Sequence, residues 1–345
     1  MKRLVTRVMS IVPAAFAVLV VVVASSAGLA TAGPPMLAAI DLGTLGGTYS
    51  EAKAVNDSGQ AVGLSYTAGN AALHAFSWTQ AAGMVDLGTL GGTHSEAVAL
   101  NAAGQVVGYS VTASGEFHAF SWTQAGGMVD LGTLGGTFSS AAQAVNAAGQ
   151  VVGSSDTAGG DRHAFSWTQA GGMVDLGTLG GDPSFAAAVN AAGQVVGASG
   201  TGGGEQHAFS WTQAGGMVDL GDLGGNHSLA AAVNAGGRVV GASVTAGGEQ
   251  HPFSWTQAGG MVDLGTLGGT EGYATAVNAR GQVVGFSFIT NDAEEHAFSW
   301  TQAGGMVDLG DLGGTHSGAN AVNAVGQVVG LSGTADGESH ATLWE

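Results

Sequence analysis

Cysteine is absent from the 345 residues. That excludes disulfides, thiolate metal ligands, a cysteine nucleophile and a lipidated N-terminal cysteine. Basic side chains are almost as scarce, with seven Lys and Arg against 25 Asp and Glu and a formal net charge of −18. A surface of that sign repels phosphate backbones and anionic lipid, which argues against nucleic acid as a partner. Proline occurs five times and glycine 63 times. The apolar share of 45% is too high for a disordered polymer and sufficient for a core. A body of this size buries roughly three quarters of the surface its unfolded chain exposes, so it needs no cross-links.

Long hydrophobic runs are also missing beyond the N-terminus. There, Lys2, Arg3 and Arg7 precede an apolar stretch from Ile11 to Val23, and Ala30-Thr31-Ala32 forms a small-x-small site before Gly33. These are the parts of a secretory signal, cut after Ala32, with Ala30 as the alternative site. A retained anchor is the alternative reading, but Ser25, Ser26, Gly28 and Thr31 dilute the second half of the segment. The division expected is therefore 1–32 as signal peptide and 33–345 as a single repeat domain. After cleavage Lys53, Arg162, Arg238 and Arg280 face all 25 acidic residues, a net charge near −21. The expectation is a secreted, extracellular monomer with no membrane contact.

What the sequence has in abundance is repetition. His-Ala-Phe-Ser-Trp begins at His74, His118, His163, His207, His251 (with Pro252 for Ala) and His296, with a diverged copy at His340. All seven Trp residues fall in this slot. Asp-Leu-Gly-(Thr/Asp)-Leu-Gly-Gly starts at Asp41, Asp86, Asp130, Asp175, Asp219, Asp263 and Asp308. An Asn-x-x-Gly turn starts at Asn56, Asn101, Asn146, Asn190, Asn234, Asn278 and Asn323. Three independent landmarks thus recur seven times at 44 or 45 residues, the sign of a repeat architecture.

Within each repeat four short apolar runs are separated by turn chemistry, which reads as four strands and no helix. In the second repeat strand a is placed at about Ala97 to Asn101, b at Gln105 to Ser110, c at His118 to Thr123 and d at Met128 to Leu131. Four strands of about five residues match a propeller blade. Before the first complete repeat comes an isolated strand d, Met36 to Gly43, and after the last strand c comes only Glu345. The fold class expected is all-β, a seven-bladed β-propeller closed by the N-terminal strand pairing in the last blade. An open β-solenoid is the alternative, and it would want polar caps that the sequence lacks.

The wording of the repeat resembles the bacterial HAF-repeat family of probable extracellular repeat proteins. The resemblance rests on His-Ala-Phe-Ser-Trp, Asp-Leu-Gly-Thr-Leu-Gly-Gly and Asn-Ala-Ala-Gly-Gln-Val-Val-Gly, and runs from about Ile40 to Trp344. Pro252 and Ala341 to Leu343 depart from it. It implies an extracellular location and a propeller-like fold, and no activity.

The His opening strand c and the Asp closing strand d lie 12 residues apart in His74/Asp86, His118/Asp130, His163/Asp175, His207/Asp219, His251/Asp263 and His296/Asp308. Across a hairpin that spacing brings the side chains together, and the same logic pairs His340 with Asp41. A metal site or acid/base pair uses these residue types. A catalytic constellation is needed once, however, and this one is copied in every blade, so the pairs read as structural. Phe76 and Trp78, with their equivalents, alternate with Ala75 and Ser77. They read as large faces packed on small ones between blades rather than as sugar platforms. His94, His227 and His316 are placed in exposed d-to-a loops.

Variation concentrates in the b-to-c loops, which gather Glu116, Asp161, Arg162, Glu205, Glu249, Asp292, Glu294, Glu295, Asp336 and Glu338 into a candidate binding face. Its oxygens are of the type Ca2+ takes, but no Asp-x-Asp-x-Asp loop is present, so no cofactor is assigned. The function expected is a non-catalytic binding or scaffold module for glycans or a cell-surface polymer, acting through repeated sites. A propeller-based polysaccharide lyase or hydrolase and a purely structural surface protein are the alternatives.

Overall fold

The computed structural model describes residues 40–345, and the expected signal segment lies outside them. The described chain is all-β, with two single-turn 3-10 segments at Ala68–Asn70 and Thr290–Asp292 and no α-helix. Unit 1 consists of β1 (Gly46–Val55), β2 (Ala61–Thr67), β3 (Leu73–Thr79) and β4 (Gly83–Asp86). Unit 2 repeats it as β5 (Gly91–Leu100), β6 (Val106–Thr112), β7 (Phe117–Thr123) and β8 (Gly127–Asp130). Units 3 to 6, beginning at Gly135, Gly180, Gly224 and Gly268, have the same four strands, and unit 7 has three, ending with Ser339–Trp344. Each unit is an antiparallel meander in which consecutive strands are neighbours.

The first strand of each unit is longer than the sequence pattern places it. Gly91 pairs with Thr112 and Leu100 with Val106, and the register slips between Gly91 and Ser95 and again between Ala97 and Ala99. These bulges bend the strand, so a run without alternation still belongs to the sheet. They also bring β5 close to β6. A Cβ built on Gly108 would lie 1.9 Å from the carbonyl oxygen of Glu96, and the glycine of every Val-Val-Gly or Ala-Val-Gly meets the same obstacle at 1.8–2.0 Å. Only glycine fits at that point.

Neighbouring units pack face to face. Between units 1 and 2, Ala54, Val62 and Ala75 on one side meet Ala97, Val106 and Phe120 on the other, with Trp122 and Met128 at the margin. The pattern recurs at each later junction, the last pairing Val284 and Ala297 with Ala319 and Val328. The six Phe residues of the repeat, Phe76 to Phe298, are fully buried. Burying one such side chain is worth about 1.5–3 kcal/mol. The large-on-small packing expected from strand alternation is thus the core.

Asparagines tie the units together at one end. Asn56 Nδ2 donates to the carbonyl of Asn101 at 3.1 Å, and Asn101 does the same to Asn146. The ladder continues through Asn190, Asn234 and Asn278 to Asn323. Each Asn Oδ1 also accepts from its own turn, as from Ala103 and Gln105 N–H, so one side chain closes a hairpin and joins two units.

Closure by the N-terminal strand is not seen among the described residues. Met36–Ala39 lies outside them, and Ile40 to Thr44 takes no strand pairing. Among the described residues Ser339–Trp344 pairs only with the strand before it. Consequently the expected His340–Asp41 pair is not formed. His340 Nε2 lies 3.3 Å from Glu338, while Asp41 Oδ1 accepts from Gly43 N–H. The outward face of unit 7 carries Leu331 at 40% exposure, whereas Leu64 of unit 1 is at 6%.

In unit 4, Gly197→Ala drives a methyl group into the Phe185 carbonyl at 1.9 Å, whereas Gly202 has nothing nearer than 3.6 Å. Gly197→Ala should cost about 3 kcal/mol or more and Gly202→Ala within about 0.5 kcal/mol, measured by urea unfolding midpoints. Equal midpoints for the two variants would refute the close approach.

Candidate functional site

The b-to-c loops and the connections between units share one end of the molecule. Parallel bridges such as Leu90 with Thr112 and Leu73 with His94 hold them there, opposite the asparagine ladder. At this end all six complete units carry the same latch. His118 Nδ1 lies 2.8–2.9 Å from both oxygens of Asp130, and Asp130 Oδ1 accepts from Gly132 N–H at 2.7 Å. The pairs His74/Asp86, His163/Asp175, His207/Asp219, His251/Asp263 and His296/Asp308 have the same geometry. Gly132 has φ 72°, the left-handed conformation in which its N–H turns back to the Asp two residues earlier. Asp-Leu-Gly is therefore a turn whose carboxylate also fixes the imidazole.

Where the loops differ, the end of the molecule loses its symmetry. Between units 2 and 3 a cleft of about 190 Å³ is lined by Tyr109, Phe117, Ser139, Ser140, Ala141 and Arg162. Phe117 is 43% exposed. It meets Tyr109 edge-on at 5.9 Å, and His94 stacks on Tyr109 at 5.8 Å. Tyr109 donates to Glu96 at 2.6 Å, and burial together with that bond raises its pKa above the ordinary phenol range. Arg162 is held by Ser139, Ser154 and Asp156 at 2.7, 3.1 and 3.2 Å, so its charge is matched and its plane fixed. At the opposite end, between units 1 and 2, a second cleft of about 250 Å³ sets Trp122 beside Gln60, Ser77 and Gln124.

No protein-family model matches the chain, and no curated protein matches it. Among solved structures it is similar to puromycin hydrolase, at 14% identity and a TM-score of 0.51, over 86% of this chain and 52% of that one. The S511A mutant of puromycin hydrolase complexed with PGG gives 13%, 0.51, 84% and 51%. BP39L lectin from Burkholderia pseudomallei follows at 12% identity and a TM-score of 0.44, over 83% of this chain and 92% of that one. The likeness to the hydrolase is one of fold. This chain spans about half of that protein's length.

The histidines expected in exposed loops are elsewhere. His94, His227 and His316 lie inside the bulged first strands and are half-buried. Burial lowers the pKa of His94 and His227. Most of the acidic loop residues are tied down rather than free. Glu116 accepts from Ser114 and Thr112, Asp336 from Thr334, and Asp292 from Thr270 N–H at 2.7 Å. Glu205, Glu249, Glu294 and Glu338 lie 3.3–3.5 Å from the Nε2 of the histidine two residues later. Glu295 is half-buried, which raises its pKa, and Asp161 stands in the exposed loop before Arg162. Sequence reasoning missed Tyr109 and Phe117; the signal was that Phe117 is aromatic where the other repeats carry polar or aliphatic residues, and that Tyr109 shares an aromatic at its position only with Phe286.

His163 differs from its equivalents in bonding a second carboxylate, Asp182, at 3.1 Å through Nε2. Burial alone would lower its pKa, but Asp175 and Asp182 outweigh it and the pKa is raised. A raised folded pKa stabilises below the unfolded value of about 6.5 and loses that contribution as pH rises through the folded pKa. His163→Asn should therefore cost about 0.5–1 kcal/mol more at pH 5.5 than at pH 8.5, read from thermal midpoints across that range. A pH-independent cost would show that the imidazole is not charged in the fold.

Proposed function

We propose that this protein is a non-catalytic, extracellular binding module for neutral glycans or a neutral cell-surface polymer. The observation that carries this is the cleft between units 2 and 3. It sets an exposed phenyl ring and a tyrosine beside hydroxyls and a charge-matched, immobilised guanidinium. Sugar rings present C–H faces to aromatic rings and hydroxyls to fixed hydrogen-bonding groups, and rigid aromatic walls lose little entropy on binding. The acidic surface argues for a neutral partner over a polyanion. The Asp carboxylates of the latches support a non-catalytic reading, since their oxygens already serve His Nδ1 and a glycine N–H. Export through the N-terminal signal belongs to the same proposal, as does the HAF-repeat kinship.

On a glycan array the protein should score neutral oligosaccharides above background. Phe117→Ala should weaken that binding about tenfold, the worth of one aromatic contact. An array without neutral hits, or unchanged binding by Phe117→Ala, would sink the reading.

We further propose that the seven units close into a propeller, unit 7 covering its open face with unit 1. Support comes from the six junctions already present, each burying the kind of face that unit 7 leaves open around Leu331 and Leu343. Class averages from electron microscopy of residues 33–345 should show a disc with seven radial divisions. An open arc, or linear chains of particles, would contradict closure.

A further inference from the structure

The six histidine latches look alike through Nδ1 and differ through Nε2. In units 4 and 6 the Nε2 atom is buried and has no hydrogen-bond partner. His207 keeps only 9% of its surface accessible. Its Nε2 nonetheless stands among acids, 3.1 Å from Asp222 Oδ2 and 3.5 Å from Glu205 Oε2. Unit 6 repeats the arrangement, with His296 Nε2 at 3.2 Å from Asp311 and 3.5 Å from Glu294. Among the described residues it is in unit 6 alone that three such ligand atoms all lie within 4.8 Å of one another. Only these two units carry Asp in the fourth position of the Asp-Leu-Gly-Thr/Asp motif, the others having Thr.

A buried imidazole nitrogen facing two carboxylates needs a positive charge between them. A proton on Nε2 would supply it by pointing along a hydrogen bond, as His163 does to Asp182 at the same 3.1 Å. In units 4 and 6 Nε2 makes no such hydrogen bond to either carboxylate. A metal ion has no such requirement, because its bonds radiate from its own centre. Ligand atoms on a tetrahedral ion with bonds of about 2.0–2.2 Å are separated by roughly 3.3–3.6 Å. The Nε2-to-oxygen distances approach that spacing.

We propose that unit 6 binds one divalent transition ion of the zinc class. The ligands are His296, Asp311 and Glu294; unit 4 has the same residue types in His207, Asp222 and Glu205, but their ligand atoms do not converge as closely. One imidazole and two carboxylates make a three-ligand set that leaves a position for water or a ligand oxygen. The outer shell is already built. Asp308 accepts at Nδ1, which leaves Nε2 as the donor nitrogen and orients the ring. Asp311 uses Oδ1 to accept from the glycine N–H two residues on, leaving Oδ2 for the ion. In the other units Thr fills that capping role, as Thr89 Oγ1 does for Gly91.

That substitution within the repeat supplies the test. Asp222→Thr and Asp311→Thr restore the residue of sibling units and should fold as the parent does. Untagged protein, stripped with chelator, is titrated with Zn2+ by calorimetry. The parent and Asp222→Thr should each take up one equivalent, and Asp311→Thr and the double variant none, with circular dichroism and metal-free thermal midpoints unchanged. Co2+ in place of Zn2+ should give visible absorption that the double variant lacks. Zinc uptake by the parent no greater than by the double variant would overturn the proposal. So would uptake of Ca2+ in preference to Zn2+ at these residues.

Discussion

The contact on which the molecule depends is the face between units, where a phenylalanine of one sheet is seated on the alanine and valine of the sheet before it. A four-stranded meander has two apolar faces and cannot bury either by itself. Phe120 is fully buried where unit 1 presents Ala75 and Val62 to it. The alternation of Phe and Trp with Ala and Ser along one strand makes every unit a large surface on one side and a small one on the other, so units add in one direction only.

Two sets of polar contacts hold this stack in register. The asparagine ladder fixes each hairpin to the next at one end. At the other, Ser95 of unit 2 accepts from Ala75 N–H of unit 1 and donates to the Gly88 carbonyl, while the His–Asp–Gly latch closes the turn nearby. Side chains committed in this way are not available to change between units. Individuality is left to the strand ends and loops around the latches, where Phe117, Arg162, Asp222 and Asp311 stand. The same scaffold thereby offers an aromatic cleft at one junction and a His–carboxylate cluster at two others.

Much of this was legible before any coordinates. The 12-residue spacing of His and Asp brings them together because a hairpin with a short glycine turn fixes which side chains are neighbours. Phe and Trp were readable as core for the same local reason. Less legible was the length of the first strand, because double bulges break the alternation that reveals a strand, and His94 was consequently placed in a loop. The cleft was hidden because Tyr109, Phe117 and Arg162 come from three strands of two units.

By itself the sequence determined the unit: its four strands, its turns, its glycine at the close approach and its large and small faces, all set by contacts within about 45 residues. Tertiary structure decided what the units make together. Which side chains converge and which imidazole nitrogen is left without a partner depend on the angle between packed sheets, a quantity no single repeat encodes.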